Sequence, residues 1–492
     1  MAVETELKLR IAPADMERLK HHPFLETLAA APASERKLYN VYYDTPSLDL
    51  HRHEMALRLR RIGDQWLQTL KGGGGVEAGL HTRNEWETGV AGEALDFAAL
   101  QRSGVKLPPG VERKLQPVFR TDFSRSIRLL NFEGAAVELC LDSGEIIAGA
   151  KTRRISELEL ELKSGEPRQL FQLALSLLDI VPLEVEHASK AEYGYGLHSD
   201  ARRAPTEPQL PLLDKSQSTA AALRSLISAC LLHVQANLTG AVQEAGGQYL
   251  EQASAGLTRL RVALSMANGL GEKGEAEGLC RQVAGLCAEF DRAQEWDAFV
   301  METLPSLRAK FPSEAGLDQI VRGAGDNRAQ HHASMRASLA SQDFQRLLLR
   351  IGQWMLGRHW QGAPAEHQPL AGFAARVLAD CHQRVTGRGD RPAEFDAAGL
   401  DALRAVCREL HDSAELLRSL FEADRVNSYF GALAGLYASL NTLTRLVAAP
   451  RLLRELGGEA LVPTWREPAL ADGLAELKRE WARFAVQRPF WD

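Results

Sequence analysis

Charged and apolar residues alternate along the opening of the chain. Successive side chains of a strand point to opposite faces. Glu4, Glu6, Lys8 and Arg10 therefore share one face, and Leu7 and Leu9 the other. The pattern returns far away, with Glu157, Glu159, Glu161 and Lys163 set against Leu158, Leu160 and Leu162. Residues 37–44, 55–60, 66–71, 83–87 and 137–142 read as further strands ended by turn residues. Among them Arg58 pairs with Arg60, Arg83 with Glu85 and Glu87, and Glu138 with Asp142. One reading is an open sheet with a wet face. The alignment of acidic and basic positions across several strands favours a closed barrel, which turns one face of every strand inward. The apolar outer face then needs cover from helices or another domain.

The period changes after a proline-containing stretch, residues 201–216, read as a linker. Beyond it apolar residues recur at three- and four-residue spacing. Helices are predicted over 220–238, 254–267, 276–304, 315–340, 343–359, 370–386, 398–422, 427–448 and 469–485. Long helices with short connections imply a bundle, read as two four-helix sub-bundles. The expected fold class is α+β: an N-terminal antiparallel closed β-barrel, a tunnel with flanking helices, in residues 1–200, and a C-terminal all-α helical bundle in 217–492.

Composition alters this little. The chain has 492 residues, 45% hydrophobic and 25% charged, an ordinary soluble profile. Its net charge is −6, from 25 basic and 30 acidic residues before position 201 and 33 and 34 after it, so neither half is basic. That argues against specific nucleic-acid binding. No run of eighteen uncharged apolar residues occurs, and the chain starts directly in a charged strand, so neither membrane span nor signal peptide is expected. The six cysteines lack C-x-x-C spacing and read as buried thiols of a cytoplasmic protein.

The acidic rows carry the chemistry. Like charges side by side repel, and oxygen-only ligands suit Mg²⁺ or Mn²⁺. The motif E-x-E-x-K at Glu4, Glu6 and Lys8 resembles the opening of the CYTH family, the triphosphate tunnel metalloenzymes. The order of the other pieces is similar too: Tyr42 to Pro46, the Arg58/Arg60 strand, Lys71 before glycines, Arg83-x-Glu85, Thr121 to Arg125, Asp142-x-Gly144, Glu157 to Glu161 and Ser189-Lys190-Ala191. The match is to the inorganic triphosphatase type with a C-terminal CHAD domain. The resemblance implies metal ligands Glu4, Glu6, Asp142, Glu159 and Glu161, with Glu138 and Glu157 behind them. Phosphate clamps are Arg58, Arg60, Lys71, Arg83, Arg125 and Lys190, with Arg120 an alternative to Arg125. Lys8 acts with Glu4 and Glu6 in catalysis. The family carries an arginine where Tyr193 stands. In the helical part, residues 257–264 and 400–404 resemble the CHAD signature helices, but Thr258 and Asp401 stand where that family has histidine.

The implied function is divalent-metal-dependent hydrolysis of inorganic triphosphate to pyrophosphate and phosphate. Two alternatives stay open. One is nucleoside or thiamine triphosphate hydrolysis, or adenylate cyclisation of the class IV type, on the same tunnel. The other is a non-enzymatic protein binding polyphosphate through the helical domain, where both signature histidines are absent. Gly269-x-Gly271-x-x-Gly274 follows a helix and reads as a turn rather than a dinucleotide loop. The pairs His21-His22 and His331-His332 have no partner at metal spacing.

Overall fold

In the computed structural model, the described residues are 2–77, 79–102, 104–199, 204–243, 247–268, 274–312, 316–360, 368–388, 396–459 and 462–492, with Ala2 and 462–469 as backbone only. Most of the glycine-rich stretch 269–274, and part of the 201–216 linker, lie outside them. The chain forms two compact units. The first comprises residues 1–207, 231–249 and 341–357; the second comprises 208–230, 250–340 and 358–492.

The first unit holds nine strands: β1 Ala2–Ile11, β2 Ser34–Asp44, β3 Met55–Ile62, β4 Gln65–Glu77, β5 Leu80–Val90, β6 Gln116–Phe132, β7 Ala135–Ala148, β8 Lys151–Ser164 and β9 Leu183–Val185. They are ordered β5-β4-β3-β2-β6-β7-β8-β1, and β1 pairs back onto β5, closing an eight-stranded antiparallel barrel. β9 adds to β1 beyond the point where β5 leaves it. A bulge at Gly72/Gly74 bends β4. It needs glycine: Gly74 has φ +107°, and a Cβ there would lie 2.0 Å from the Thr82 carbonyl oxygen.

The alternation in the sequence is the alternation of the barrel wall. Leu7, Leu9, Leu158 and Leu160 point outward, and each is fully buried. Each such side chain contributes about 1.5–3 kcal/mol. Their cover is the helix Arg168–Leu178, which packs against β1 and β8. Over it lies the helix Gln342–Met355, joined so closely that a Cβ on Gly352 would sit 2.3 Å from the Phe171 ring. Gln342 and Gln345 accept the β9 amides of Leu183 and Val185 at 3.0 and 2.9 Å, so that edge is capped by side chains. The amphipathic pattern predicts this helix, and its contacts group it with the barrel's compact unit.

One end of the barrel is filled. The helix Lys190–Ser199 brings Tyr193 and Tyr195 onto Leu38, Tyr42, Phe119 and Phe123 in a single apolar cluster. Here Tyr193, in the place of the family's arginine, donates its hydroxyl to Glu186 at 2.7 Å and lies under the Arg153 guanidinium at 3.5 Å.

The second unit is helical among its described residues, with long helices Gly247–Met266, Glu275–Ala298, Leu317–Ala340, Leu370–Thr386, Ala397–Leu417, Ala423–Glu455 and Val462–Ala485. The segment expected as one helix over 276–304 passes through a π turn at Phe299–Thr303 before restarting at Leu304–Lys310. The helix Thr219–Gln243 is long and apolar enough to cross a membrane, but 61% of its most apolar window is buried within the protein, as in a core helix.

Candidate active site

Cross-strand register gathers the charged residues into rows. Glu6 stands opposite Glu161 on β8, and Glu161 opposite Glu138 on β7. One step along, Lys8 faces Glu159; one further, Arg10 faces Glu157, which faces Asp142. On the other half of the circuit Glu4 faces Arg83, Lys71 faces Glu85, Arg58 faces Tyr42, and Arg36 faces Arg125. All of these residues except Arg10, Glu157 and Asp142 line one cavity of about 620 Å³.

Of the residues expected at the site, Glu4, Glu6, Lys8, Arg58, Arg60, Lys71, Arg83, Arg125, Glu159, Glu161 and Lys190 all line this cavity. Asp142 does not. It is fully buried beneath two residues that do, with Arg125 donating to both its oxygens at 2.7 and 2.6 Å and Lys190 at 2.8 Å. Its oxygens are occupied holding those two cations. Glu138, expected behind the metal ligands, lines the cavity itself. Glu157 does not; it binds Lys190 at 2.7 Å. Arg120 is exposed on the barrel exterior and Arg125 takes the inner position. Arg36 and Lys163 also line the cavity and were missed by motif reasoning. Arg36 lies two residues before Leu38 on a face whose next members are apolar or uncharged, so no charge alternation marks it.

The two halves of the wall differ electrostatically. On β1, β7 and β8 each carboxylate rests on a cation. Lys8 binds Glu6 at 2.9 Å and Glu159 at 2.6 Å. Lys190 joins Glu157 and Glu159, Lys163 holds Glu161, and Lys71 reaches across to Glu4. Burial opposes ionisation of Glu6, but Lys8 and Lys71 outweigh it and hold its pKa down to about 2. Glu159 is also held well below the usual range, against burial, by Lys190, Lys8 and Arg125. Glu161 moves the other way: burial and repulsion from Glu4 and Glu138 raise it.

On β2, β3 and β5 the arginines are less matched. Arg60 donates to Asn40 at 2.8 Å and has no ion pair among the described residues. Burial, with Arg58 and Arg125 nearby, pushes its pKa down to about 10. Arg58 meets Tyr42 and Glu85 only at 3.5 Å, and Arg83 meets Glu192 at 3.8 Å. A buried guanidinium group without a carboxylate is costly and fits phosphate oxygens two at a time.

The carboxylates Glu4, Glu6, Glu138, Glu159 and Glu161 form an oxygen-only donor set on adjacent strands. That set fits a hard dication such as Mg²⁺ or Mn²⁺. The repulsion raising Glu161 is what such an ion would relieve.

Comparisons with known proteins agree with this geometry. Residues 2–195 match the sequence model of the CYTH domain, and residues 225–454 that of the CHAD domain. An inorganic triphosphatase from Haemophilus influenzae is 35% identical over 199 residues, which are 40% of this chain and 56% of that protein; the chain matches little more than half of its relative's length. The crystal structure of a CHAD domain from the plant Ricinus communis aligns with 58% of this chain and 98% of its own, at 25% identity and a TM-score of 0.51. The chain therefore joins a CYTH domain, the barrel, to a CHAD domain built of helices.

Proposed function

We propose that the barrel hydrolyses inorganic triphosphate to pyrophosphate and phosphate with the help of Mg²⁺ or Mn²⁺. The observation that carries this reading is one cavity with a row of carboxylates along one half of its wall and loosely paired arginines along the other. Triphosphate needs both: donors for its oxygens and acids for the ions that accompany it. The similarity to the Haemophilus influenzae inorganic triphosphatase supports the same substrate.

Arg58, Arg60 and Arg83, with Arg36 at the cavity wall, hold the phosphate oxygens and fix the chain of phosphates along the lumen. Lys8 does not need to touch substrate to matter, since its ammonium group sets the positions of Glu6 and Glu159. Glu4, Glu6, Glu138 and Glu161 would hold the dication, which when bound would screen phosphate charge and acidify a water. Glu159 and Glu161 orient the water that attacks the terminal phosphorus. The P–O bond to the bridging oxygen breaks, and pyrophosphate departs with the charge held by the arginines.

Phosphate release from tripolyphosphate should need added Mg²⁺ or Mn²⁺ and stop with EDTA. It should also vanish in Glu6→Ala while the protein keeps its circular dichroism. Robust turnover by Glu6→Ala would reject the assignment. Comparing tripolyphosphate with ATP and thiamine triphosphate separates inorganic from organic substrates. An assay for cyclic AMP tests the cyclase alternative.

A further inference from the structure

The helical unit contains a cluster of metal-ligating side chains apart from the barrel cavity. His411, Asp412 and Glu415 lie on the helix Ala397–Leu417, and one ligand atom from each lies within 4.8 Å of the others. We propose that this cluster binds a transition-metal dication of the Zn²⁺ type. An imidazole with two carboxylates is a donor set that such ions accept, and three protein ligands leave a position for water.

Proximity alone would not make a site; two further observations point to a ligand. Asp412 is only 8% exposed, and its Oδ2 is buried without a hydrogen-bond partner among the described residues. A buried carboxylate oxygen left unsatisfied costs stability, and an ion at this place removes that cost. The surroundings also hold the ligands in place as outer groups do in metal sites. Arg259 grips Glu415 through Nε at 2.8 Å and Nη2 at 3.2 Å. A carboxylate has about four lone-pair sites, so this fork orients Glu415 and leaves acceptor capacity for an ion. The His411 ring stands edge-on to Phe430 at 5.5 Å and stacked on Tyr437 at 6.1 Å, with Nδ1 3.3 Å from Asp412 Oδ1. Arg408, one turn earlier, donates to Asp291 and Thr258, so its charge is already matched.

The site stands apart from the triphosphatase reading, and its test is direct binding. The full chain, stripped of metal, is titrated with Zn²⁺ by calorimetry beside His411→Ala, Asp412→Asn and a Glu4→Gln/Glu6→Gln double variant. The wild type and the double variant should share one Zn²⁺ equivalent that both helical-unit variants lack. Co²⁺ in its place should give visible absorption bands that His411→Ala abolishes. Asp412→Asn preserves shape and carries the test should His411→Ala fail to fold. Equal Zn²⁺ stoichiometry in the wild type and Asp412→Asn overturns the proposal, as does a Co²⁺ spectrum unchanged by removing the imidazole.

Discussion

Arg60 and Glu6 show how two residues drawn from similar motifs come to differ. Both face the lumen, yet Glu6 has Lys8 at 2.9 Å and Arg60 has, among the described residues, the neutral Asn40 as its hydrogen-bond partner. Arg60→Ala should therefore raise KM for tripolyphosphate at least tenfold while leaving Tm unchanged or higher, because it removes a half-buried charge that has no close carboxylate among the described residues. A large fall in Tm would show that Arg60 is structural. Glu6 carries the opposite signature. Its folded pKa of about 2 lies below the ordinary carboxylate value, so its ionisation stabilises the fold fully above about pH 5, and this contribution is lost as pH falls towards 2. In acid titrations of Tm, the gap between wild type and Glu6→Gln should close over that window; a constant gap would contradict the ion pairing. Both residues were visible in the sequence as motif members. Their difference was not, because it depends on what stands across the lumen. Asp142 teaches the same lesson: its place in the motif is plain, but only the fold shows Arg125 and Lys190 closing over it.

At the scale of elements, strands were legible because each had one apolar and one charged face, and helices because their apolar period was clear. What the pattern could not supply was the partner of each face. The helix Gln342–Met355 has a strong apolar side, and nothing local says that this side meets Phe171 rather than another bundle helix. Two glycines report these dockings. A Cβ on Gly194 would lie 2.1 Å from the Phe119 ring, and one on Gly352 2.3 Å from Phe171. Overpacking of this kind costs about 1–3 kcal/mol, so Gly194→Val and Gly352→Val should both lower Tm. Their kinetics should diverge. Gly194 is in the same short helix as Lys190, whose ammonium group holds Glu157 and Glu159, so moving that helix should lower kcat. Gly352 touches only the outer cover, and its variant should retain kcat per folded molecule. Equal kcat losses in the two would mean that the helix Lys190–Ser199 has no special hold on the site.

For the molecule as a whole, the acidic half of the barrel is neutralised by the protein's own lysines. The acids that would hold a dication are occupied by Lys8, Lys71 and Lys163, and those lysines line the cavity that would take triphosphate. A dication arriving first must displace ammonium groups from the carboxylates. A polyanion arriving first must draw the same lysines away. Either ligand therefore prepares the lumen for the other, and the linkage must be reciprocal. Coupling free energies of this kind are typically about 1–3 kcal/mol, or about 5–150-fold in affinity. Calorimetry with Mn²⁺ and a non-hydrolysable triphosphate, corrected for the complex the two form in solution, should show each tightening the other by the same factor. Lys71→Met frees Glu4 beforehand, so it should bind Mn²⁺ alone more tightly than wild type and show a smaller factor. Independent binding of the two ligands, or a factor unaltered by Lys71→Met, would mean that the lysine–carboxylate pairs of the lumen do not govern its loading.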